Sequence, residues 1–209
     1  HVLSRNGIFR PAASWARLTG TFPGKGPQAD ALDHDDTPAR YGIVSRLFHW
    51  VMVVLLAWQF TTALLRVFAE DTAVEGFFWS THYTVGFTLF LLVILRGLWG
   101  LANLSRRPGH AAIRFGRLAT LGHLAMYLLM VVIPFLAILR AYGSGRGFAP
   151  YGFEIFAATG ERIPALIAPA SAVHGLFGWV LLALIVGHIA MVAMHEAVWK
   201  DRICLLYTS

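Results

Sequence analysis

Four histidines lie at matched depths within long apolar segments: His49, His82, His174 and His188. An imidazole within a bilayer is expensive to bury, so each should have a specific partner. His174 and His188 are fourteen positions apart. Because an α-helix turns about 100° and rises about 1.5 Å per residue, both would lie near one helix face, about 21 Å apart along the axis. One helix can thus supply an axial ligand to each of two metal centres at opposite depths.

Depth pairs His49 with His188 and His82 with His174. Two imidazoles would fill both axial positions of a haem iron, which favours outer-sphere electron transfer over oxygen chemistry. The pattern predicts two haem b groups, held non-covalently because the chain has no Cys-x-x-Cys-His attachment motif. The single cysteine, Cys204, excludes an internal disulfide and an iron–sulfur cluster with thiolate ligands.

Small residues and one arginine accompany the histidines. Gly86 and Gly178 each follow an outer histidine by four positions, which places them on the ligand face of their helix. Such bare positions would let a macrocycle lie against the helix, although close helix packing also uses small residues. Arg96 is fourteen positions after His82 and so shares its face at inner depth. It would pair with a haem propionate or extend to the interface.

The remaining histidines have weaker claims. His123 begins the third apolar segment and is predicted to contact a quinone, a propionate or a polar group at the helix end. His195 lies beyond His188 near the headgroups and is predicted to be an interfacial or proton-handling residue. Solvent exposure is expected for three others in polar regions, which are His1, His34 and His110.

Composition places these histidines in a membrane protein. Hydrophobic residues make up 57% of the 209 residues and charged residues 13%, against about 25% charged in soluble domains. Four segments reach the length of about 20 residues that spans a bilayer, approximately 45–66, 77–100, 118–140 and 172–196. We predict an all-α integral membrane four-helix bundle that binds two b-type haems.

The charged residues indicate topology. The net charge is +6, which could suggest nucleic-acid binding. The basic residues lie at the ends of the apolar segments and are not gathered on one element, so a nucleic-acid partner is not predicted. Residues 67–76 contain three acids and no base, whereas residues 101–117 contain four arginines and no acid. The positive-inside rule predicts that both termini and loop 101–117 are cytoplasmic in a bacterial inner membrane. The outer loop, 141–171, is long enough to cover the outer haem or to form a pocket.

The two ends of the chain differ from the membrane domain, predicted over 41–203. Residues 1–40 are rich in Gly, Pro, Ala and Asp without periodicity, and we expect a disordered polar leader. Residues 204–209, CLLYTS, resemble a translated sequencing adapter and are expected to be a non-native tail.

Several stretches resemble the bacterial cytochrome b561 family in order and spacing: SRLFHW, THYTVGFTLFLLVILRGLW, LGHLAMYLL, AYGSGRGFAPYGFE and VHGLFGWVLLALIVGHIAMVAMHEAVWKD. The resemblance implies four helices and two b-type haems, with axial ligands on the same four histidines in the same pairs. It also implies electron exchange with the quinone pool, with superoxide as a donor in the family. Two departures, at Tyr83–Thr84 and at His195–Glu196, lie outside the ligand set and concern peripheral contacts.

We therefore predict an oxidoreductase that passes electrons between a periplasmic-side donor, such as superoxide, and ubiquinone. Its expected partners are the lipid bilayer, a quinone and an unidentified donor, and assembly as a homodimer stays open. One alternative is a haem-bearing membrane anchor for the catalytic subunit of a hydrogenase or dehydrogenase. A proton-relaying transporter is disfavoured because the predicted spans contain no Asp or Glu before Glu196.

Overall fold

The structure is a computed structural model that describes Asp36, residues 41–106 and residues 116–200. Several predictions lie outside the described residues: the rest of the leader, the tail 204–209, and the exposure of His1, His34 and His110. The described part is helical, as predicted, and holds four helices long and apolar enough to cross a membrane. They are α1 (Ile43–Phe68), α2 (Ala73–Ala102), α3 (Gly116–Gly143) and α4 (Pro164–Met194), and α4 continues into a π-helical turn, His195–Trp199.

Helix α4 begins at Pro164, before the predicted start at residue 172. Proline fits the first helical turn because the backbone N–H that it lacks would have no partner within the helix there, and its fixed φ suits a helix. Pro169 lies further inside α4, and Pro134 lies inside α3 as predicted. The longer α4 shortens the outer connection to residues 144–163.

The turn between α1 and α2 is fixed by a capping motif. Thr72 is the N-cap of α2, and its hydroxyl accepts a hydrogen bond from the backbone N–H of Glu75 (3.2 Å), which satisfies one of the free N–H groups at the helix start. Arg66, in the last turn of α1, forms ion pairs with Glu70 (3.0 Å) and Glu75 (3.2 Å). These contacts join α1 and α2 into an antiparallel hairpin at the end of the bundle that carries His82.

The bundle is assembled from two helical hairpins. α1 packs along α2, α3 packs along α4, and α2 joins the hairpins through α3. Polar side chains tie α1 to α2 near both ends, because Trp58 Nε1 donates to Thr81 Oγ1 (2.8 Å) and Trp99 Nε1 donates to Ser45 Oγ (3.0 Å). Many large apolar side chains are exposed, as expected for helices that face lipid.

The outer loop folds back on itself between α3 and α4. Phe148 and Phe156 form an antiparallel bridge, with the Phe148 N–H donating to the Phe156 carbonyl (2.9 Å). Gly145 has φ +69°, and a Cβ there would come within 2.3 Å of the Glu161 carbonyl oxygen. Glycine is therefore required at this crossing, both for its positive φ and for space.

Candidate functional site

The outer histidines predicted to form a pair lie together in the structure. The ring centres of His82 on α2 and His174 on α4 are 6.4 Å apart, and the ring planes are inclined at 65°. Metal–imidazole bonds are about 2 Å long, so two imidazole nitrogens on one metal lie about 4 Å apart, with the ring centres further out. The observed separation leaves the room that one iron between the rings requires.

Other potential ligands do not converge on this point. Within residues 41–106 and 116–200, no group of three or more His, Cys, Asp or Glu side chains is arranged to hold a metal ion. Two facing imidazoles alone suit a metal whose other ligands come from a macrocycle. The residues present at the outer site therefore fit the axial positions of a haem.

His82 is held by contacts on its face and at its Nδ1 atom. Nδ1 is in hydrogen-bond contact with Thr62 Oγ1 on α1. The Trp79 ring stacks on the imidazole, with ring centres 4.7 Å apart and planes inclined at 28°. The guanidinium of Arg66 in turn lies over the Trp79 ring, 5.4 Å from its centre. The imidazole is thus oriented by groups on two helices.

His174 has a backbone partner. Its Nδ1 lies 3.2 Å from the Ile133 carbonyl oxygen on α3. A carbonyl can only accept, so this contact places the proton on Nδ1 and leaves Nε2 with its lone pair. Histidines that bind metals commonly donate their other ring N–H to such an acceptor, which fixes the ring and raises its basicity.

The inner site gathers more polar residues than predicted. His49 lies within electrostatic range of Arg96, His123 and His188. The His188 ring is in edge contact with the ring of His123, with centres 5.0 Å apart. His123 Nδ1 also lies 2.7 Å from the Ala119 carbonyl oxygen in its own helix. This contact lies inside α3, about two turns from its start at Gly116, and the quinone or propionate contact of His123 stays a prediction.

Arg96 extends to α3. Its Nε donates to the hydroxyl of Tyr127, and its guanidinium carbon lies 5.8 Å from the centre of the Tyr127 ring. Tyr127 and His123 are four positions apart on α3 and share one face. The inner site thus contains a guanidinium close to the predicted ligand His49, and its pairing with a propionate stays a prediction.

The two glycines predicted to border the outer haem differ in surroundings. A Cβ at Gly178 would meet no atom within 4 Å, which argues against close helix packing there and leaves room for a cofactor or for lipid. A Cβ at Gly86 would come within 3.1 Å of the Gln59 side-chain nitrogen on α1. The surroundings of Gly86 favour the packing interpretation, whereas those of Gly178 are compatible with a cofactor.

An arginine-lined cleft, here called the outer cleft, opens near the outer site. It has a volume of about 370 Å³ and is lined by Arg140, Ser144, Arg146, Arg162 and Ile167. Arg140 lies within electrostatic range of His174. Three guanidinium groups around one cleft attract anions.

At the other end of the bundle, the His195 ring lies in edge contact with Trp199, with 4.5 Å between the ring centres. His195 lies outside the candidate ligand set.

Among the residues that sequence reasoning missed, three contact the candidate sites: Thr62, Trp79 and Tyr127. Two carried a sequence signal, since Trp79 is three positions before His82 and Tyr127 four after His123, spacings that share a helix face. Thr62 had none, because its contact depends on how α1 is rotated against α2. Tyr83, noted as a departure, accepts a hydrogen bond from the Ala149 N–H (2.8 Å) and so docks the outer loop on α2.

Comparison with known proteins bears on these sites. Residues 40–205 match the profile of the prokaryotic cytochrome b561 family. The chain is also 28% identical over 174 residues to a protein of Escherichia coli named cytochrome b561 homolog 2, and the match covers 81% of this chain and 92% of that protein. The matched residues include all four helices and both candidate sites.

Proposed function

Because the chain belongs to the prokaryotic cytochrome b561 family, we propose that it carries electrons between a donor on the periplasmic side and the quinone pool through two haems. Family membership makes it a bacterial membrane cytochrome that binds b-type haem and transfers electrons. The proposal adds to this the number of haems, their ligands, the donor, the acceptor and the orientation in the membrane. The observation that carries it is the 6.4 Å approach of His82 and His174.

In this proposal His82 and His174 hold the outer haem, and His49 and His188 hold the inner one. When bound, each haem supplies an iron that accepts and releases one electron. Two histidines would bind each haem iron and leave no position open on the metal, so a substrate would exchange electrons at the haem edge. Each helix pair fixes one redox centre near one face, which lowers the barrier to moving charge through hydrocarbon.

The outer cleft supports an anionic donor. Arg140, Arg146 and Arg162 line it, and Arg140 lies within electrostatic range of His174. Fields of this kind raise association rates of oppositely charged ligands by about 10- to 1,000-fold at low ionic strength. Superoxide is a small anion that can give up one electron without binding to the iron. It is therefore the proposed donor.

Ubiquinone is the proposed acceptor because it is apolar enough to reach a haem edge from the bilayer. A quinone carbonyl accepts hydrogen bonds, and the inner site contains donors. The Tyr127 hydroxyl accepts a hydrogen bond from Arg96 and keeps its own proton, so it is the proposed donor to a quinone carbonyl. His123 lies against His188 (5.0 Å between ring centres); with its Nδ1 proton on the Ala119 carbonyl, it would line the quinone site without donating to it.

The test separates donor and acceptor. Stopped-flow reduction of the purified holoprotein by superoxide should slow steeply with ionic strength, and replacement of Arg140, Arg146 and Arg162 by Gln should weaken that dependence. A neutral reductant should reduce wild type and variant equally, and a ubiquinone analogue should reoxidise both. If quinones left the reduced protein unchanged while a bound hydrogenase or dehydrogenase subunit exchanged electrons with it, the membrane-anchor function would replace this one.

A further inference from the structure

A buried hydroxyl lies at the junction of α1, α2 and the outer site. Thr62 is 0% exposed, although it lies in a helix whose neighbours largely face outward. Its Oγ1 contacts two groups, the Gln59 backbone carbonyl oxygen at 2.7 Å and Nδ1 of His82. A hydroxyl buried among helices in a membrane is costly unless it is hydrogen-bonded, and this one has partners on both sides.

The direction of these hydrogen bonds follows from the groups involved. A hydroxyl carries one proton and a carbonyl oxygen can only accept. Thr62 therefore donates its proton to the Gln59 carbonyl, and its oxygen lone pair is left to accept from His82. The proton of a neutral His82 ring must then lie on Nδ1, which leaves the lone pair of Nε2 available to a metal.

The same segment of α1 also holds the backbone at His82. The Gln59 side-chain amide donates to the His82 carbonyl oxygen (3.0 Å), and it does so across Gly86, where a Cβ would approach it within 3.1 Å. Gln59 thus contributes its backbone carbonyl to Thr62 and its side chain to His82. Ring and backbone of one residue are fixed by a single turn of α1.

We propose that Thr62 is a positioning residue for the outer haem: by accepting the Nδ1 proton of His82 it fixes the tautomer, orientation and basicity of that axial ligand. The inference rests on the proposed function, in that His82 must be an axial ligand. An acceptor on Nδ1–H makes the imidazole a stronger donor to iron and favours the ferric state. Removal of the acceptor should raise the midpoint potential of the outer haem.

The two outer histidines differ in the kind of group that accepts their Nδ1 proton, and only the partner of His82 can be removed by substitution. The partner of His174 is the backbone carbonyl of Ile133 (3.2 Å), which no substitution removes. The partner of His82 is a side chain. A change at residue 62 therefore alters one axial ligand of one haem and leaves the other in place.

The experiment compares Thr62→Val, which keeps the shape and removes the hydroxyl, with Thr62→Ser, which keeps the hydroxyl. Thr61→Val is the matched control, because Thr61 is exposed and, among the described residues, its hydroxyl bonds only to the Ala57 carbonyl of its own helix (2.8 Å). Each holoprotein is measured by spectroelectrochemical titration, by haem content and by low-temperature electron paramagnetic resonance. The outer haem is identified as the one that His82→Ala removes.

Thr62→Val is expected to shift the ferric–ferrous equilibrium of the outer haem about tenfold towards ferrous, which is about 59 mV for a one-electron couple, and to change its low-spin g values. Thr62→Ser and Thr61→Val should keep wild-type values. Selective loss of the outer haem in Thr62→Val, with retention in Thr62→Ser, would also support the proposal.

Unchanged potentials and g values in a fully loaded Thr62→Val protein would overturn it, and so would an equal shift in Thr62→Ser. If Thr62→Val does not fold, Thr62→Cys decides. Its sulfur is a weak acceptor, so a raised outer potential supports the proposal and a wild-type potential refutes it. Absence of haem bound to His82 in the wild-type protein would instead refute the proposed function, which keeps the two failures distinct.

Discussion

His82 and His174 approach each other with ring centres 6.4 Å apart, although they belong to different helical hairpins. Each has an acceptor at Nδ1, Thr62 for His82 and the Ile133 carbonyl for His174. Both rings can therefore direct Nε2 towards a shared metal. The hydrogen bonds that orient the two rings also leave the lone pair of each Nε2 available to a metal.

Ligand pairing is tested by single substitutions. His82→Ala and His174→Ala should each remove the same haem, because an iron that loses one of two axial imidazoles is bound much less tightly. His49→Ala and His188→Ala should remove the other. Haem content and the two midpoint potentials of the purified proteins give the readout.

His123→Ala is the control for the pairing, because His123 contacts His188 (5.0 Å) without belonging to the predicted ligand set. It should retain both haems. Loss of the same haem in His82→Ala and His188→Ala would contradict the pairing. Loss of the inner haem in His123→Ala would indicate that His123, and not His49, binds that haem together with His188.

The guanidinium of Arg96 should tune the inner haem. Arg96→Gln removes a positive charge near His49, and loss of that charge stabilises the ferric state by on the order of 1 kcal/mol at a low effective dielectric constant. The midpoint potential of the inner haem should fall while that of the outer haem stays constant. Tyr127→Phe keeps the charge and removes the hydrogen bond, so a fall of the same size in that variant would argue against the electrostatic cause.

Docking of the outer loop depends on Tyr83. Tyr83→Phe removes the acceptor of the Ala149 N–H and should cost about 0.5–1.5 kcal/mol of local stability. Hydrogen exchange at Ala149 should accelerate several-fold. Tyr142→Phe is the control, because its ring contact with Phe156 (5.4 Å between centres) is kept. Equal protection of Ala149 in wild type and Tyr83→Phe would show that the Tyr83 hydroxyl does not hold the loop on α2.

Orientation is tested with reporter fusions. The charge asymmetry of the loops predicts that fusions after residue 75 and within 144–163 read as periplasmic, and that fusions within 101–117 read as cytoplasmic. The reverse pattern would exchange the depths of the two haems and would place the outer cleft in the cytoplasm.

The sequence predicted the helices well because a bilayer imposes their length and apolar character. It located the start of α4 too late, since Pro164 and Pro169 interrupt the apolar run that marks a span. Proline is nevertheless tolerated near the start of a helix. The approach of His82 and His174 could be predicted from their depth, because a bundle of four helices is so narrow that residues at equal depth lie close together.

Rotation of the helices about their axes could not be predicted. Depth places His123 near the inner site but does not say that its ring faces His188. Likewise Thr62 reaches His82 only because α1 turns that face towards α2. These contacts depend on the packing of whole helices, which the spacing of residues within one helix does not encode.

Electron transfer across a sealed membrane tests most directly whether electrons cross the bilayer through two haems. The holoprotein is reconstituted in proteoliposomes with a ubiquinone analogue in the bilayer and superoxide generated on the outer side, and haem and quinone redox states are followed together. Haem reduction should be followed by quinone reduction, and His82→Ala and His188→Ala should each stop it. Undiminished quinone reduction in a variant that lacks either haem would contradict the account.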